Sequence, residues 1–595
     1  MSLNSLTRIV LPATVPKEQN VDRTVYAPPH VGQKVFQNTS LFSKLLRLAH
    51  QDPQRPIIRD DNLGIEKSRI QLLSDILALR QVVLESLTSE VLNLMRNDGE
   101  VYIGVLASGG YEFSVAMLTV LALGAAAVPM STQIPVDELA YFAIKPKVVL
   151  VLNSSSTIKL GQSLEHCVNT STDHRIRCIS VTSHINVASL EPSDIIISSD
   201  CYADGNRPGL VVFTSGTTGR PKATVMRQAS IYEAAIAVAE YYRITEDDTI
   251  LHVLPVHHGT GLDMSFFPFL ISGACIEFRS GSFSTSWTWD RWRQGGLTFF
   301  SGVPTIYMRM MRFYEQNLIK LPADDLEQYC VGARQFRGML CGTSALPRPI
   351  SQFWTKIRNG KTILTRYGAT EFGAVVKVPL DARNTPDGSV GELVAGVDLK
   401  LSSGDEGEVL VRSPYMFSKY LFDADVTAQA HDADGYFKTG DIARREGKHY
   451  FIVGRASIDI IKSGGYKISA LDIERECLGL AYIAEVMVVP VDDEEYGQRV
   501  AAVVTLREDQ TEYTFDRLAG GKNLTLKDLR RDLSSKMARY KMPTLLRVVE
   551  GDIPKTASGK VLKKQLGPKY FPADYEGISE VQVWRQKRLA VTAKL

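Results

Sequence analysis

Short apolar runs that alternate with helical stretches constrain the fold of this chain most strongly. "EVYIGVLASGG" at 100–110 has the pattern of a strand and a turn, and "AAAVPMS" at 125–131 and "KVVLVLN" at 147–153 have the pattern of further buried strands. Alternation of this kind predicts βαβ units, and therefore a mostly parallel sheet covered by helices. The apolar run Val115–Met130 is shorter than the ~18–20 residues that a membrane span needs, so we interpret it as a buried helix that leads into a strand.

The length of 595 residues predicts more than one domain. From about residue 390 short strands with Gly and Asp turns dominate, and after Arg455 a compact α+β pattern begins, with one amphipathic helix over 526–543. We therefore predict an α/β protein with an N-terminal arm (1–35), a large domain with mostly parallel sheets (36–454) and a small, mobile α+β domain (455–595). The large domain would include a β-rich unit at about 390–454.

Composition excludes several classes of function. The chain is 44% hydrophobic and carries a net charge of only +2, so neither a nucleic-acid role nor a membrane role has electrostatic support. Its seven cysteines form no C-x-x-C pair, which favours a reducing compartment over a disulfide framework or a structural zinc site. They stand at positions 167, 178, 201, 275, 330, 341 and 477.

The two ends of the sequence bear on localisation. The first twenty residues lack the long apolar core of a secretory signal. The last three, Ala593, Lys594 and Leu595, differ by one residue from the S-K-L peroxisomal address, and the residues before them are basic. We expect the peroxisome, with its import receptor as a partner, and keep the cytoplasm as the alternative.

The loop in "VFTSGTTGRPKATV" (212–225) has the chemistry of a phosphate site. A Walker A loop needs Lys directly after its last Gly, but Lys222 stands three residues after Gly219, and Ala223 replaces the metal-binding hydroxyl. Glycines still allow backbone N–H groups to turn toward an anion, and Lys222 adds a charge. The other candidate phosphate contacts are Thr214, Ser215, Gly216, Thr217 and Thr218.

Five motifs in register resemble one enzyme family, the adenylate-forming superfamily of acyl-CoA synthetases, peptide-synthetase adenylation domains and luciferases. They are "TSGTTGRPKA" (Thr214–Ala223), "YGATEFG" (Tyr367–Gly373), "YFKTGDIA" (Tyr436–Ala443), "GRASIDIIKSGGYKISALDIE" (Gly454–Glu474) and "PKTASGK" (Pro554–Lys560). The resemblance covers about residues 40 to 570. It implies an acyl-CoA ligase that uses ATP, Mg²⁺ and CoA and releases AMP and pyrophosphate.

The resemblance also implies roles for individual residues. The 214–222 loop would hold the β- and γ-phosphates, Glu371 would ligate Mg²⁺, and Thr370 would donate its hydroxyl to the α-phosphate. Asp441 would accept the ribose hydroxyls, Arg455 would contact the ribose and phosphate side, and Lys560 would bridge the acid and the α-phosphate. The remaining implied nucleotide contacts are Thr343, Tyr367, which would stack on adenine, and Gly368.

In the family the small domain rotates between the two half-reactions. The residues 454–458 are the expected pivot, although Ser457 stands where the family usually has Asp or Lys, so the pivot residue stays open. Ser463, Gly464 and Gly465 would line the path of the CoA thiol.

The acyl pocket is implied by "LPVHHGTGL" (Leu254–Leu262), "SGVPTIY" (Ser301–Tyr307) and "CGTSALP" (Cys341–Pro347). Apolar surroundings predict an acyl group with an apolar body. The candidate wall residues are His258, Gly302, Val303, Gly342 and Ala369.

Within the family, the sequence most resembles the malonyl-CoA synthetase branch and fungal peroxisomal acyl-CoA ligases. That branch holds the distal carboxylate with an arginine, but Arg279 is out of register with it, so malonate is not inferred. Two other functions share these motifs: a stand-alone enzyme that loads a carrier-protein thiol, and a non-catalytic binding protein. The filled Lys, Glu and Asp positions argue against the latter.

Overall fold

A computed structural model describes residues 32–199, 204–214, 220–342, 346–507, 524–556 and 560–585 of the chain. Most of the predicted N-terminal arm, residues 1–31, and the terminal residues Ala593, Lys594 and Leu595 lie outside this part. Among the described residues, no helix is both long and apolar enough to cross a membrane.

Residues 35–455 contain strands β1 to β22 and helices α1 to α14. The strands are β1 (Val35–Phe36), β2 (Pro56–Asp60), β3 (Ile65–Ser68), β4 (Tyr102–Leu106), β5 (Ala126–Pro129), β6 (Leu150–Asn153), β7 (Cys178–Ser180), β8 (Ile196–Ile197), β9 (Pro208–Thr214), β10 (Lys222–Arg227), β11 (Thr249–His252), β12 (Cys275–Phe278), β13 (Phe299–Gly302), β14 (Gly338–Cys341), β15 (Leu364–Ala369), β16 (Gly373–Lys377), β17 (Gly391–Leu393), β18 (Asp398–Leu401), β19 (Glu406–Arg412), β20 (Lys419–Tyr420), β21 (Phe437–Glu446) and β22 (His449–Arg455). The helices are α1 (Ser40–Gln51), α2 (Arg69–Ser86), α3 (Ser89–Arg96), α4 (Tyr111–Ala122), α5 (Val136–Ile144), α6 (Ile158–Ser171), α7 (Gln228–Tyr241), α8 (Gly259–Gly261), α9 (Phe267–Ser272), α10 (Thr285–Arg293), α11 (Pro304–Gln316), α12 (Ala323–Arg334), α13 (Arg348–Ile357) and α14 (Ala424–Gln429).

Two large sheets organise this region and confirm the predicted α/β class. One has the order β20-β10-β9-β5-β4-β6-β7, and its strands β9 to β7 run parallel. The other has the order β18-β19-β21-β22-β17-β16-β15-β14-β13-β11-β12-β2-β3, with a parallel stretch from β15 to β2. Strands β17, β18, β19, β21 and β22, from the predicted β-rich stretch, continue this second sheet as its antiparallel half.

Helices packed between the two sheets form the main core. Helix α4 is buried along its whole length and contacts β4 of one sheet and β2 of the other. It runs into β5, so the run Val115–Met130 is a buried helix followed by a strand, as the sequence predicts. A second core, on the outer side of the longer sheet, contains the fully buried Trp289, Trp292 and Trp354.

The chain after Arg455 forms a third, separate sheet. Its elements are α15 (Ala470–Leu478), α16 (Leu526–Leu533), α17 (Lys563–Tyr570), β23 (Ile460–Ser463), β24 (Tyr466–Ser469), β25 (Ile483–Asp493), β26 (Gly497–Leu506), β27 (Leu545–Val548) and β28 (Val581–Val583). The sheet has the order β24-β23-β26-β27-β28, and β25 pairs with β26. The switch from one sheet to the next falls between Arg455 and Ile460.

The helix predicted over 526–543 is much shorter in the structure. Helix α16 ends at Leu533, where the Ser534 hydroxyl donates to the Arg531 carbonyl. Serine side chains that bond the local backbone in this way compete with helix continuation. The amphipathic pattern of the sequence therefore continues past Leu533, where the α-helix itself ends.

A buried ion triplet fixes helix α17 to the start of the small domain. The Lys563 ammonium donates to Asp459 at 2.6 Å and lies 2.8 Å from Glu474, and all three side chains are at most 15% exposed. Burial alone lowers the pKa of Lys563, but the charges of Glu474 and Asp459 outweigh it and raise the pKa overall. The triplet therefore depends on its central cation.

We expect Lys563→Met to reduce the local stability of this domain by about 3–5 kcal/mol, because it leaves two buried carboxylates without their cation. Native-state hydrogen exchange of α15 and β25 in the full chain measures the loss. Lys564→Met, at the exposed neighbouring lysine, is the matched control and should change protection by less than about 0.5 kcal/mol. Equal effects of both variants would contradict the structural role of the triplet.

Candidate active site

A large cavity lies where strands of both large sheets end and where the small domain meets them. Its volume is about 1870 Å³. Thr214 ends β9, Gly342 follows β14, and Ala369 ends β15, and all three line the cavity. Ligands of open α/β sheets bind at the carboxyl ends of parallel strands, so this is the expected place for a site.

Glu371 stands in the cavity wall beside two residues from separate strands. Its Oε1 accepts a hydrogen bond of 2.9 Å from the Tyr420 hydroxyl on β20. The Lys222 ammonium at the start of β10 lies 4.7 Å from the centre of the Tyr420 ring. Burial, followed by the Glu371 charge, raises the pKa of Tyr420, so this hydroxyl stays a donor.

Glu371 is suited to a magnesium ion that is shared with a phosphate group. Mg²⁺ in proteins takes one or two carboxylates and completes its shell with phosphate oxygens and water. Among the described residues, no group of three His, Cys, Asp or Glu side chains could hold an ion by itself. The donor set therefore fits a metal that enters with a nucleotide.

Asp441 connects two other residues of the site. Its Oδ2 accepts a 2.9 Å hydrogen bond from the Tyr367 hydroxyl, and its Oδ1 accepts one of 2.9 Å from Arg455 Nε. The Tyr367 ring is 8% exposed and packs against Phe372, with ring centres 5.9 Å apart. Tyr367 lines the cavity, and stacking on adenine stays a prediction.

Lys560 reaches this group from the small domain. The loop that carries it is closed by two hydrogen bonds, Lys560 N–H to Thr556 Oγ1 at 3.1 Å and Thr556 N–H to the Lys560 carbonyl at 2.9 Å. Lys560 lines the same cavity as Glu371 and Asp441. The structure thus joins residues that are more than a hundred positions apart in the sequence.

The surroundings lower the pKa of Lys560 below the ordinary lysine value. The largest cause is loss of water around the side chain inside the cleft, followed by the positive charge of Arg455. The carboxylates of Asp441 and Glu371 act in the opposite direction without cancelling the shift. Lys560 therefore interacts with both positive and negative groups of the large domain.

The acyl-pocket residues fall into two groups. His258, Gly342 and Ala369 line the cavity. Burial, and then the charge of Lys560, lower the pKa of His258. Gly302 and Val303 do not line it, because the space beside Gly302 is filled by the Tyr307 and Phe300 rings, and the next residues, Pro304 and Thr305, form the wall instead.

The predicted CoA residues are absent from the cavity lining. Ser463, Gly464 and Gly465 form the turn of the hairpin β23–β24, and the Gly464 N–H donates to the Tyr496 carbonyl within the small domain. Ser215, Gly216, Thr217, Thr218, Gly219 and Thr343 lie outside the described residues. The other predicted nucleotide and catalytic residues that line the cavity are Thr214, Lys222, Gly368, Thr370 and Arg455.

Two cavity residues escaped sequence reasoning. Tyr420 belongs to a two-residue strand without a motif, and its role appears only when β20 pairs with β10. Asp263 lies in "GLDMSFF", where a single acidic residue in an apolar stretch was the available signal. Both positions depend on tertiary contacts rather than on local pattern.

The arrangement defines a class of protein. A cavity with a carboxylate suited to Mg²⁺, a carboxylate–tyrosine–arginine group and a lysine on a separate domain can hold a nucleotide and move charge at its phosphates. Two family models match the chain: the AMP-binding enzyme model over residues 92–421 and the AMP-binding enzyme C-terminal domain model over residues 472–560.

Relatives agree with these matches. An acyl-CoA ligase of Aspergillus oryzae is 30% identical over 540 residues, covering 89% of this chain and 92% of the relative. A malonate–CoA ligase of Arabidopsis thaliana is 34% identical over 489 residues, covering 78% and 77%. The ATP-bound MatB structure of Rhodopseudomonas palustris has a TM-score of 0.72 at 22% identity, covering 89% of this chain and 99% of that one, and so shares the fold.

The chain therefore belongs to the AMP-binding enzyme family. Within it, the chain is one of the AMP-forming acid–thiol ligases, which use ATP to join a carboxylic acid to CoA.

Acylation of Lys560 by an amine-directed reagent should rise with a pH midpoint below 10.5, the ordinary lysine value. A lowered pKa makes the amine neutral, and hence nucleophilic, at lower pH. Mass spectrometry of the Lys560 peptide against pH measures the midpoint. Arg455→Met should move the midpoint upward, and a wild-type midpoint at or above 10.5 would contradict the described environment.

Proposed function

We propose that the cavity carries out both half-reactions of an acyl-CoA ligase. First, a carboxylate oxygen of the acid attacks the α-phosphorus of ATP, forms an acyl-adenylate and expels pyrophosphate. Second, the CoA thiol loses its proton, attacks the acyl carbon, forms the thioester and expels AMP. One observation carries this assignment: Lys560 of the small domain shares one cavity with Glu371, Asp441 and Arg455 of the large domain.

The nucleotide would lie across the strand ends. Asp441 accepts the ribose hydroxyls with the lone pairs that Tyr367 and Arg455 leave free, since each carboxylate oxygen accepts more than one hydrogen bond. Tyr367, Gly368 and Gly342 would border the adenine. Thr214, Lys222 and the 215–219 loop hold the β- and γ-phosphates.

Three groups would stabilise the negative charge that develops at the α-phosphate. Glu371 would hold a Mg²⁺ ion that enters with the nucleotide, and that ion would supply positive charge to offset the charge on the phosphates. Thr370 donates its hydroxyl to the α-phosphate. Lys560 lies between the acid and the α-phosphate, where a cation offsets the repulsion of two approaching anions.

The acyl group would extend along an apolar wall. Met264, Met308 and Ile350 line the cavity, and such surfaces favour an acid with an apolar body. Arg279 does not support a malonate site, because its guanidinium bonds Asp61 and lies 4.7 Å from the Trp287 ring centre, and the residue does not line the cavity. Dicarboxylates are therefore not proposed as substrates, although the Arabidopsis thaliana relative carries malonate in its name.

The second half-reaction would require movement of the small domain. The described arrangement places Lys560 in the cavity and the Ser463–Gly465 turn away from it, as the first half-reaction needs. Rotation about 455–459 would exchange the two faces.

Lys560→Ala should reduce acid-dependent ATP–pyrophosphate exchange by about a hundredfold or more, because a cation at the developing charge is lost. Thioester formation from supplied acyl-adenylate and CoA should change by less than about threefold, because Lys560 has left the site in that step. Lys569→Ala, at an exposed lysine of the same domain outside the cavity lining, is the control and should leave both rates near wild type. Equal losses in both half-reactions for Lys560→Ala would contradict its role.

Asp441→Asn should weaken AMP binding about tenfold to a hundredfold, the range for hydrogen bonds to a charged group. The change removes the charge that accepts the ribose hydroxyls and that pairs with Arg455. Isothermal titration of AMP into the full chain gives the constant. Asp405→Asn, at an exposed pair with Arg445, is the control, and unchanged AMP affinity in Asp441→Asn would place the ribose elsewhere.

A further inference from the structure

An uncompensated carboxylate lies in the wall of the acyl pocket. Asp263 belongs to a π-helical turn, Leu262–Phe266, between α8 and α9, and it lines the cavity. Within the described part of the chain, its side chain has neither a hydrogen-bond partner nor an ion-pair partner. π-Helical turns inside helices occur frequently at functional sites, and a half-buried acid without a partner is a costly feature to keep for structure alone.

The position of Asp263 is close to the reacting end of the acid. A Cβ built on Gly259 would lie 3.1 Å from Asp263 Oδ2 and 3.4 Å from Thr370 Oγ1. The two oxygens therefore flank the same point of the wall, and Gly259 leaves that point open. Thr370 is the residue that we place at the α-phosphate, so Asp263 faces the first carbons of the acyl chain rather than its far end.

Among the described residues, no neighbouring cation compensates the Asp263 carboxylate. Burial is the one cause that raises the pKa of Asp263, to about 7, and no charged side chain of the described residues contributes. The adjacent histidines do not supply a charge, since burial lowers the pKa of His257 to about 4 and also lowers that of His258. Lys560 interacts with Arg455, Asp441 and Glu371 instead.

The apolar neighbours of Asp263 restrict the kind of ligand group that would bind its carboxylate. Leu262 and Phe266 on the same turn are fully buried, and Met264 is 5% exposed and lines the cavity. A carboxylate in such a setting attracts a cation or a strong donor much more than it does in water. A ligand that satisfies it carries a cation or a strong donor close to its own carboxyl group, and an ammonium group is both.

We infer that the substrate is an amino acid whose ammonium group, α or β to the carboxyl, binds Asp263 while an apolar side chain follows the methionine-lined wall. This inference rests on the proposed function, and it names the class of acid. It also predicts that dicarboxylic acids fit poorly, because a second negative group would meet the Asp263 carboxylate.

Matched acid pairs test the inference on the full-length enzyme. ATP–pyrophosphate exchange without CoA is measured for L-phenylalanine against 3-phenylpropanoate, L-leucine against 4-methylpentanoate, β-alanine against propanoate, and malonate. The amino member of at least one pair should have a kcat/KM at least about tenfold higher than its partner. Asp263→Asn should lower that value about tenfold to a hundredfold, since truncating one side of a buried charge pair is costly.

The des-amino acids supply the fold control within the same assay. Their exchange should change by less than about threefold in Asp263→Asn, and Asp173→Asn, at an exposed turn, should leave every value unchanged. If des-amino acids or malonate are activated as well as or better than every amino partner, this inference is wrong and the ligase function stands. If no acid supports exchange in the wild type, the proposed function itself fails.

Discussion

The electrostatic interaction of one lysine with a group of charges on another domain is the interaction on which the site depends. Lys560 comes from a domain with its own sheet, yet it meets Arg455, Asp441 and Glu371 in one cavity. Neither domain alone holds both the carboxylates and this cation. The proposed centre for adenylation is therefore formed by the relative placement of two folded units, and we expect adenylation to be lost when they separate.

Ion pairs within the small domain fix the segment that carries Lys560 to the rest of that domain. Lys563, three residues beyond Lys560, is held by Asp459 and Glu474, so the reactive loop is tied to the residues that directly follow the switch between sheets. Movement about 455–459 would then displace Lys560 and the Ser463–Gly465 turn together. A stiff domain on a short connection allows one protein to present two faces to one cavity in turn.

The sequence predicts those residues of the site that belong to short family motifs. Glu371, Asp441, Arg455 and Lys560 all reach the cavity, and each stands in a short, specific local pattern. Glu371 follows β15, Asp441 lies in β21, Arg455 ends β22, and Lys560 precedes α17. The sequence does not predict Tyr420 or Asp263, which depend on tertiary contacts. It wrongly assigns Gly302 to the acyl pocket, because the missing side chain of Gly302 makes room for Tyr307 rather than for a ligand. The α/β class follows from alternation, whereas the length of α16 depends on serine hydrogen bonds that periodicity does not register.

Transfer of an isotope from acid to nucleotide tests the central claim, attack of a carboxylate on the α-phosphate, most directly. The enzyme is incubated with ATP, Mg²⁺, CoA and an accepted carboxylic acid labelled with ¹⁸O in its carboxyl group, and the products are weighed by mass spectrometry. Formation of an acyl-adenylate predicts that AMP gains one ¹⁸O atom and that pyrophosphate gains none. Label in pyrophosphate or inorganic phosphate, or AMP without label, would contradict this account.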